Sequence, residues 1–435
     1  MTKNRFEMRE FPELGERYAY LKIKDGPEIY VIPKDRSQSY ALLRVGIGGL
    51  NVSYSIGKRH FKVPYGTAHF LEHKLFANQD GRDSLEILGQ LGANANAYTT
   101  PSATCYLFSC RERFSDSLRE LLRFVSEPYF TIENIASERS VIEQEIAMYE
   151  DSPSSVLYYL TLRSMYRTHP LRNNICGSAA SIARLTPKNL NAVYRAFYHP
   201  SRWQLFISGR VSLSEIEKIV SPYSGVGKAV IPSACLSDTE PPHRRAVSRR
   251  MNVHQPLLAI GIKFPPPSGD AILDARTAIA RDLLHATLFG KSGEHYESLF
   301  RRGLLHTPLQ ASSESVPGAA CLLLTGETPD PDALWEATLS TFRKAREQGL
   351  SERDFERMRR VAYADFLASL DSTEELAEGF CSAIPDGTDL FSYGRLILDT
   401  PYALARELLL RDYGEDRMTK AIIRPLSSGR KRGIS

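Results

Sequence analysis

The sequence predicts a mixed α/β protein built as two similar layered domains. Three observations carry this expectation. The chain has 435 residues, and a single core rarely grows beyond about 250–300. Strand-like and helix-like stretches alternate through both halves. Between the halves, residues 221–242 carry Pro, Gly and Ser with little periodicity, as a linker does. The expected division is a first domain over 1–220, a linker over 221–245 and a second domain over 246–435.

The elements follow in order. Glu28 to Ile32 and Tyr40 to Ile47 read as strands, rich in β-branched and aromatic residues and bounded by Gly, Pro and Asp. Ala103 to Ser109 reads as another, with Tyr106 and Phe108 on one face and Cys105 and Leu107 on the other. Phe114 to Val125 has helical spacing, with Leu118, Leu121, Leu122 and Val125 along one stripe. A further helix starts at Thr186-Pro187, with Thr as cap and Pro in the first turn, and stops at His199-Pro200. The strand Trp203 to Val211 follows directly. The second half restarts with the strand Pro256 to Phe264, then long helices at 271–288, 333–348 and 352–370, and a capping signature at Ser372 and Glu375. Identity between the halves is too weak to demonstrate a repeat.

Composition excludes several classes. At 42% hydrophobic, 24% charged and 10% aromatic residues, the chain sits near the globular average and should fold. A net charge of +4 is small for this length and argues against nucleic acid as the partner. The six cysteines are scattered without a C-x-x-C pair, so neither a disulfide framework nor a cysteine zinc site is expected, and a reducing compartment fits. Residues 1–16 lack the apolar segment of a signal peptide, and no apolar run approaches the 18–20 or so residues that span a bilayer. A soluble, cytoplasmic protein without a membrane partner is expected.

The segment that carries chemistry is Gly66-Thr67-Ala68-His69-Phe70-Leu71-Glu72-His73-Lys74-Leu75-Phe76. On a helix, His69 and His73 lie one turn apart on nearly the same side, a spacing that lets two imidazoles grip one zinc ion. Glu72 sits on the same flank, where its carboxylate can take a proton from an activated water. A chance H-x-x-E-H is expected in roughly one such chain per hundred, and a helix with two surface histidines is the plain alternative. A second acidic helix, Glu133 to Glu150, weighs against that alternative. Its apolar stripe is Ile135, Ile142, Ile146 and Tyr149; Glu138 and Glu145 lie along one edge, Glu143 and Glu150 along the other. Periodicity alone does not choose between the pairs.

The H-x-x-E-H signature is that of the inverzincins, and the chain resembles the pitrilysin/insulinase family of zinc metallopeptidases, most of all its short bacterial members related to mitochondrial processing peptidase. Four further stretches are similar: Gly92 to Thr99, which resembles the family's substrate-binding strand; Glu138 to Glu145, its paired-glutamate helix; Phe197 to Pro200 with Trp203 to Gly209; and Leu367 to Ala377. The resemblance implies two similar domains, each a mainly antiparallel sheet packed against helices, forming half of a clamshell. It implies His69, His73 and Glu145 as ligands of one zinc, Glu72 as general base and Glu138 as a carboxylate orienting a ligand histidine. The separation from His73 to Glu145 is a few residues shorter than in many members. Glu150 fits that separation better, while the local pattern around Val141-Ile142 points to Glu145. Substrate peptides would add as a strand near Asn96, Ala97 and Tyr98.

One departure bears on the active assembly. Active members have an arginine and a tyrosine seven residues apart in the second domain; the corresponding positions here are Leu299 and His306. The implied protein is a zinc-dependent endopeptidase for short or unfolded peptides. It would be the zinc-bearing subunit of a two-chain enzyme whose paralogous partner supplies the Arg/Tyr pair, with a homodimer as the alternative. A non-catalytic, chamber-forming subunit is the competing reading. Gly46 to Asn51 and Gly290-Lys291-Ser292 only partly match nucleotide-binding motifs and read as turns, and the basic Arg430-Lys431-Arg432 tail reads as solvated charge.

Overall fold

A computed structural model describes residues 5–224, 238 and 240–426. Much of the expected linker, Cys235 and the basic tail lie outside the described residues. The described chain forms two compact units. One runs to Ile146, resumes over residues 173–224 and takes Tyr363–Leu396; the other takes Ala147–Arg172, the described residues from 238 to 362, and Ile397 onward. The sequence-based division into 1–220 and 246–435 therefore differs from the observed one at two segments, one from each half of the chain.

The first unit is built on strands β1 (Glu7–Phe11), β2 (Glu16–Lys22), β3 (Glu28–Pro33), β4 (Ser39–Val45), β5 (Ser53–Ile56), β6 (Arg59–Lys62), β7 (Asn94–Thr99), β8 (Thr104–Cys110) and β9 (Trp203–Gly209). Seven of them form one sheet in the order β1-β2-β3-β9-β4-β8-β7, while β5 and β6 make a separate hairpin. The β3–β9 pair is parallel and the other neighbours are antiparallel. Alternation along β8 explains why both faces are covered. Tyr106 meets Phe124 edge-on and Phe108 packs tilted against Phe114, both from the helix Phe114–Ser126. Cys105, on the opposite face, meets Cys381 of the helix Thr373–Ala383. That second helix comes from the far end of the chain and packs on β4 and β9.

The second unit has β10 (Ala246–Met251), β11 (Leu257–Phe264), β12 (Gln310–Val316), β13 (Ala319–Glu327) and β14 (Met418–Pro425), ordered β10-β14-β11-β13-β12. Here β10–β14 is the parallel pair. The helix Pro153–Met165 from the first half lies on this sheet, with Val156 and Leu157 against Ala259, Ala421 and Ile423. Counted from β3, both sheets follow one plan, with strands ordered first-fifth-second-fourth-third and a single parallel pair at one end. The repeat that residue identity could not demonstrate is plain in the topology. In each unit the third strand of this plan, β7 or β12, is a sheet edge.

The expected elements stand within a few residues of their predicted ends. Among the described residues of the predicted linker, Asp238 is firmly anchored. Asp238 accepts from the backbone N–H groups of Arg167 and Thr168 at 2.8 and 3.0 Å and pairs with Lys263 at 2.8 Å. Lys263 also donates to the carbonyls of Met165 and Glu240, so this buried charge pair is fully satisfied within its unit.

Candidate metal centre

The helix Thr67–Leu75 is not a surface helix: eight of its nine residues, His69, Glu72 and Lys74 among them, are buried. Polar side chains in that setting need partners. Its N-terminus follows from Gly66, whose φ of 88° is left-handed and whose Cβ, if present, would stand 2.4 Å from the carbonyl oxygen of Cys176. Only glycine permits this close approach.

The partners come from the helix Ile132–Asp151, which buries Ile135, Ile142 and Ile146. That stripe turns Glu138 and Glu145 inward and leaves Glu143 and Glu150 exposed. Glu145 Oε2 lies 3.6 Å from His69 Nε2 and 3.5 Å from His73 Nε2. The imidazole rings are tilted at 57° with centroids 4.6 Å apart. Glu138 Oε1 sits 3.0 Å from His73 Nδ1, and its Oε2 is 3.5 Å from the ammonium of buried Lys74. A carboxylate only accepts, so Nδ1 of His73 donates to Glu138 and Nε2 is the nitrogen turned towards Glu145.

This donor set fits a divalent metal. With bonds of 2.0–2.1 Å, neighbouring ligands of a tetrahedral zinc stand about 3.3 Å apart, close to the two separations found here. Among the described residues, His69 Nδ1 is buried without a hydrogen-bond partner, so this histidine makes its polar contacts through Nε2.

Electrostatics divides the groups by task. Burial pushes the Glu72 carboxyl above its ordinary range, and the Thr99 hydroxyl, donating to its Oε2 at 2.5 Å, together with both histidines, pulls it partly back. Burial alone would lower His73, but the Glu138 hydrogen bond and the surrounding carboxylates lift it above its ordinary value. Glu138 is held below the usual carboxylate range, first by His73 and then by Lys74, against the cost of burial. Glu72 is thus the raised carboxyl of this set and Glu138 the lowered one.

The sequence-expected substrate strand is β7. It pairs only with β8 in the sheet and leaves its other edge free of strands among the described residues. Asn96 is exposed, and its Oδ1 accepts from the neighbouring Ala97 N–H at 2.9 Å. Tyr98 is half-buried and its hydroxyl donates to Glu378, which also accepts from Tyr40 at 2.9 Å. The structure thus gathers His69, His73, Glu72, Glu138 and Glu145. Asn96, Ala97 and Tyr98 lie on the strand whose last residue, Thr99, touches Glu72.

Residues 56–179 match the family described as Insulinase (Peptidase family M16), and residues 184–361 match the Peptidase M16 inactive domain. A Bacillus subtilis protein named uncharacterized zinc protease YmfH is 32% identical over 427 residues, covering 96% of this chain and 99% of that one. The chain belongs to the M16 peptidase family. Among solved structures, a putative M16-like peptidase from Alicyclobacillus acidocaldarius superposes with a TM-score of 0.91 at 27% identity, over 96% of this chain and 100% of that one. Pitrilysin shares the fold at a TM-score of 0.76 and 14% identity; the match takes in 97% of this chain and 47% of the pitrilysin chain.

Three residues of this M16 chain escaped the sequence reading. Thr99 ends the stretch compared with the substrate strand, and its place beside Glu72 follows from β7 packing against the helix. Glu378 lies some 280 residues along the chain from Tyr98 and carries no local signal. Cys176 lies in a loop with Sγ 3.7 Å from His69 Nε2 and 3.9 Å from Glu145 Oε1. Burial, then the nearby carboxylates, push its thiol up to about 12.

No helix among the described residues is long and apolar enough to cross a membrane.

Proposed function

We propose that this chain is a zinc-dependent endopeptidase that cleaves short or unfolded peptides. It acts as the zinc-bearing subunit of a two-chain enzyme. The observation that carries the reading is Glu145 Oε2 standing 3.6 Å from His69 Nε2 and 3.5 Å from His73 Nε2, with the raised carboxyl of Glu72 beside them. His69, His73 and Glu145 would hold the zinc, which supplies Lewis-acid polarisation of the scissile carbonyl and activation of water. Glu138 fixes the tautomer and orientation of His73. Glu72 takes the proton of the attacking water and passes it to the leaving amine. Asn96, Ala97 and Tyr98 on the β7 edge receive the peptide as an added strand. Main-chain pairing there gives affinity that reads little sequence.

The second unit supports the two-chain reading. Leu299 is a core residue, 1% exposed, so the position of the family's arginine holds no charge. Its neighbour Arg301 pairs with Glu297 on the same helix, and His306 is exposed, with its carbonyl accepting from Tyr296. A paralogous chain with an Arg/Tyr pair would complete the carbonyl-holding groups; a homodimer would have to do without them.

The test is digestion of a mixed peptide library by the zinc-loaded chain, alone and with a paralogue bearing the Arg/Tyr pair, each beside Glu72→Gln. Cleavage only in the mixture, abolished by Glu72→Gln, is expected. Cleavage by the chain alone would remove the partner from the account. Cleavage indifferent to Glu72→Gln, or none in any mixture, would overturn the peptidase reading and leave a chamber-forming subunit.

A further inference from the structure

We propose that Cys176 is a fourth protein ligand of this metal centre, and that its thiolate gives the chain a closed, latent form. The inference rests on the metal reading of His69, His73 and Glu145. His69, Glu145 and Cys176 offer donor atoms that all lie within 4.8 Å of one another. A tetrahedral zinc with sulfur at about 2.3 Å and nitrogen at 2.0–2.1 Å places the two donors about 3.6 Å apart. The thiol stands 3.7 Å from His69 Nε2, and 3.9 Å from Glu145 Oε1, the carboxylate oxygen next to the Oε2 that faces the two histidines.

The position of the sulfur is built into the backbone. Cys176 N–H donates to Asn174 Oδ1 at 3.0 Å, and Gly177 N–H to the Asn174 carbonyl at 2.9 Å. Gly66 and Gly177 are both left-handed. A Cβ on the first would meet Cys176 O, and one on the second would stand 2.5 Å from Tyr65 O. Ser181 Oγ donates to that same Tyr65 carbonyl at 2.8 Å. This loop is therefore locked against the start of the helix that carries His69, with Cys176 only 4% exposed. A cysteine serving only as a small apolar filler would face apolar neighbours; this one faces an imidazole nitrogen and a carboxylate oxygen.

The chemistry involves no redox step. As the sulfur lone pair forms the bond to the metal, the S–H proton leaves to solvent. A catalytic zinc keeps one position open, whereas four protein ligands close the site. With Cys176 bound, the position that water needs is filled, and hydrolysis requires the sulfur to be displaced.

Cobalt(II) titration of the metal-free full-length chain tests this without reading activity, because a thiolate ligand gives an intense sulfur-to-cobalt charge-transfer band in the near ultraviolet. The expected result is one equivalent bound with that band. Cys176→Ser should bind one equivalent without the band and at least about tenfold more weakly. Cobalt bound by the wild-type chain without the band would overturn the proposal and leave the His69/His73/Glu145 site standing, a result that needs no variant to fold. A band that persists in Cys176→Ser, or in Cys176→Ala, would overturn it too, by pointing to another thiol. Cobalt uptake that survives His69→Ala/His73→Ala unchanged would overturn the metal reading, and this proposal with it.

Discussion

Glu138 does two jobs that a pair of variants separates. It holds His73 Nδ1 at 3.0 Å and is the carboxylate beside the ammonium of Lys74, which is 3% exposed. Glu138→Gln keeps the shape and removes the charge. Carboxylates that orient a ligand histidine are worth 10–100-fold in metal affinity, or about 1.4–2.7 kcal/mol. Stripping a buried charge of its counter-ion costs about 3–5 kcal/mol of stability. The single variant should therefore bind zinc 10–100-fold more weakly and unfold at lower urea even without metal. Lys74→Met/Glu138→Gln removes both charges and should recover most of the lost stability, because no uncompensated ammonium remains. Its zinc affinity should stay low, since a neutral amide oxygen accepts from His73 Nδ1 more weakly than the carboxylate does and adds no basicity to the ligand imidazole. Competition against a chromophoric chelator gives the affinity, and urea unfolding in excess chelator gives the stability. Affinity within about twofold of wild type in Glu138→Gln, or full recovery of affinity in the double variant, would refute a positioning role for Glu138.

Two further outcomes concern Thr99 in the first unit and Asp238 in the second. The Thr99 hydrogen bond favours the charged form of Glu72 against burial; Thr99→Val should raise that carboxyl and move the acidic limb of the kcat/KM profile about one pH unit higher, and an unmoved limb would detach Thr99 from the base. For Asp238, burial is outweighed by Lys263 and the N–H groups of Thr168 and Arg167, which bring it down from 3.8 to about 2. Its stabilisation is thus complete above the unfolded value and lost as pH falls from about 4 towards 2. Asp238→Asn should cost about 3 kcal/mol at pH 7 by urea unfolding, with the gap to wild type narrowing below pH 4; a gap that stays constant down to pH 2 would count against the ion pair.

Local chemistry was legible because it is written at short range. The pair at His69 and His73 needs only a helix to share one face, and the apolar spacing around it announces the helix. The stripe of Ile135, Ile142 and Ile146 likewise identified a helix with a buried side. It could not say which flank of carboxylates turns inward, because Glu138/Glu145 and Glu143/Glu150 border the same stripe symmetrically. The packing partner breaks that symmetry: the first pair meets His69, His73 and Lys74, and the second meets solvent.

The sequence by itself determined the mixed α/β class, the approximate ends of the strands and helices, the family resemblance and the His69-Glu72-His73 constellation. All of these depend on residues within one or two helical turns or on alternation along one strand. Tertiary structure alone decided which sheet each helix covers, and so which segments the two units exchange. Amphipathic spacing records that a face is buried, not what buries it. Tertiary structure also revealed that the two sheets repeat one strand order, a property of hydrogen-bond pairing that survives when residue identity has faded. Finally, it brought Thr99 to Glu72, and Glu138, Glu145 and Cys176 to the two histidines, across separations of 27 to 107 residues. Contacts over such distances are paid for by loop closure and core packing of the whole unit, and no local pattern around Cys176 encodes them.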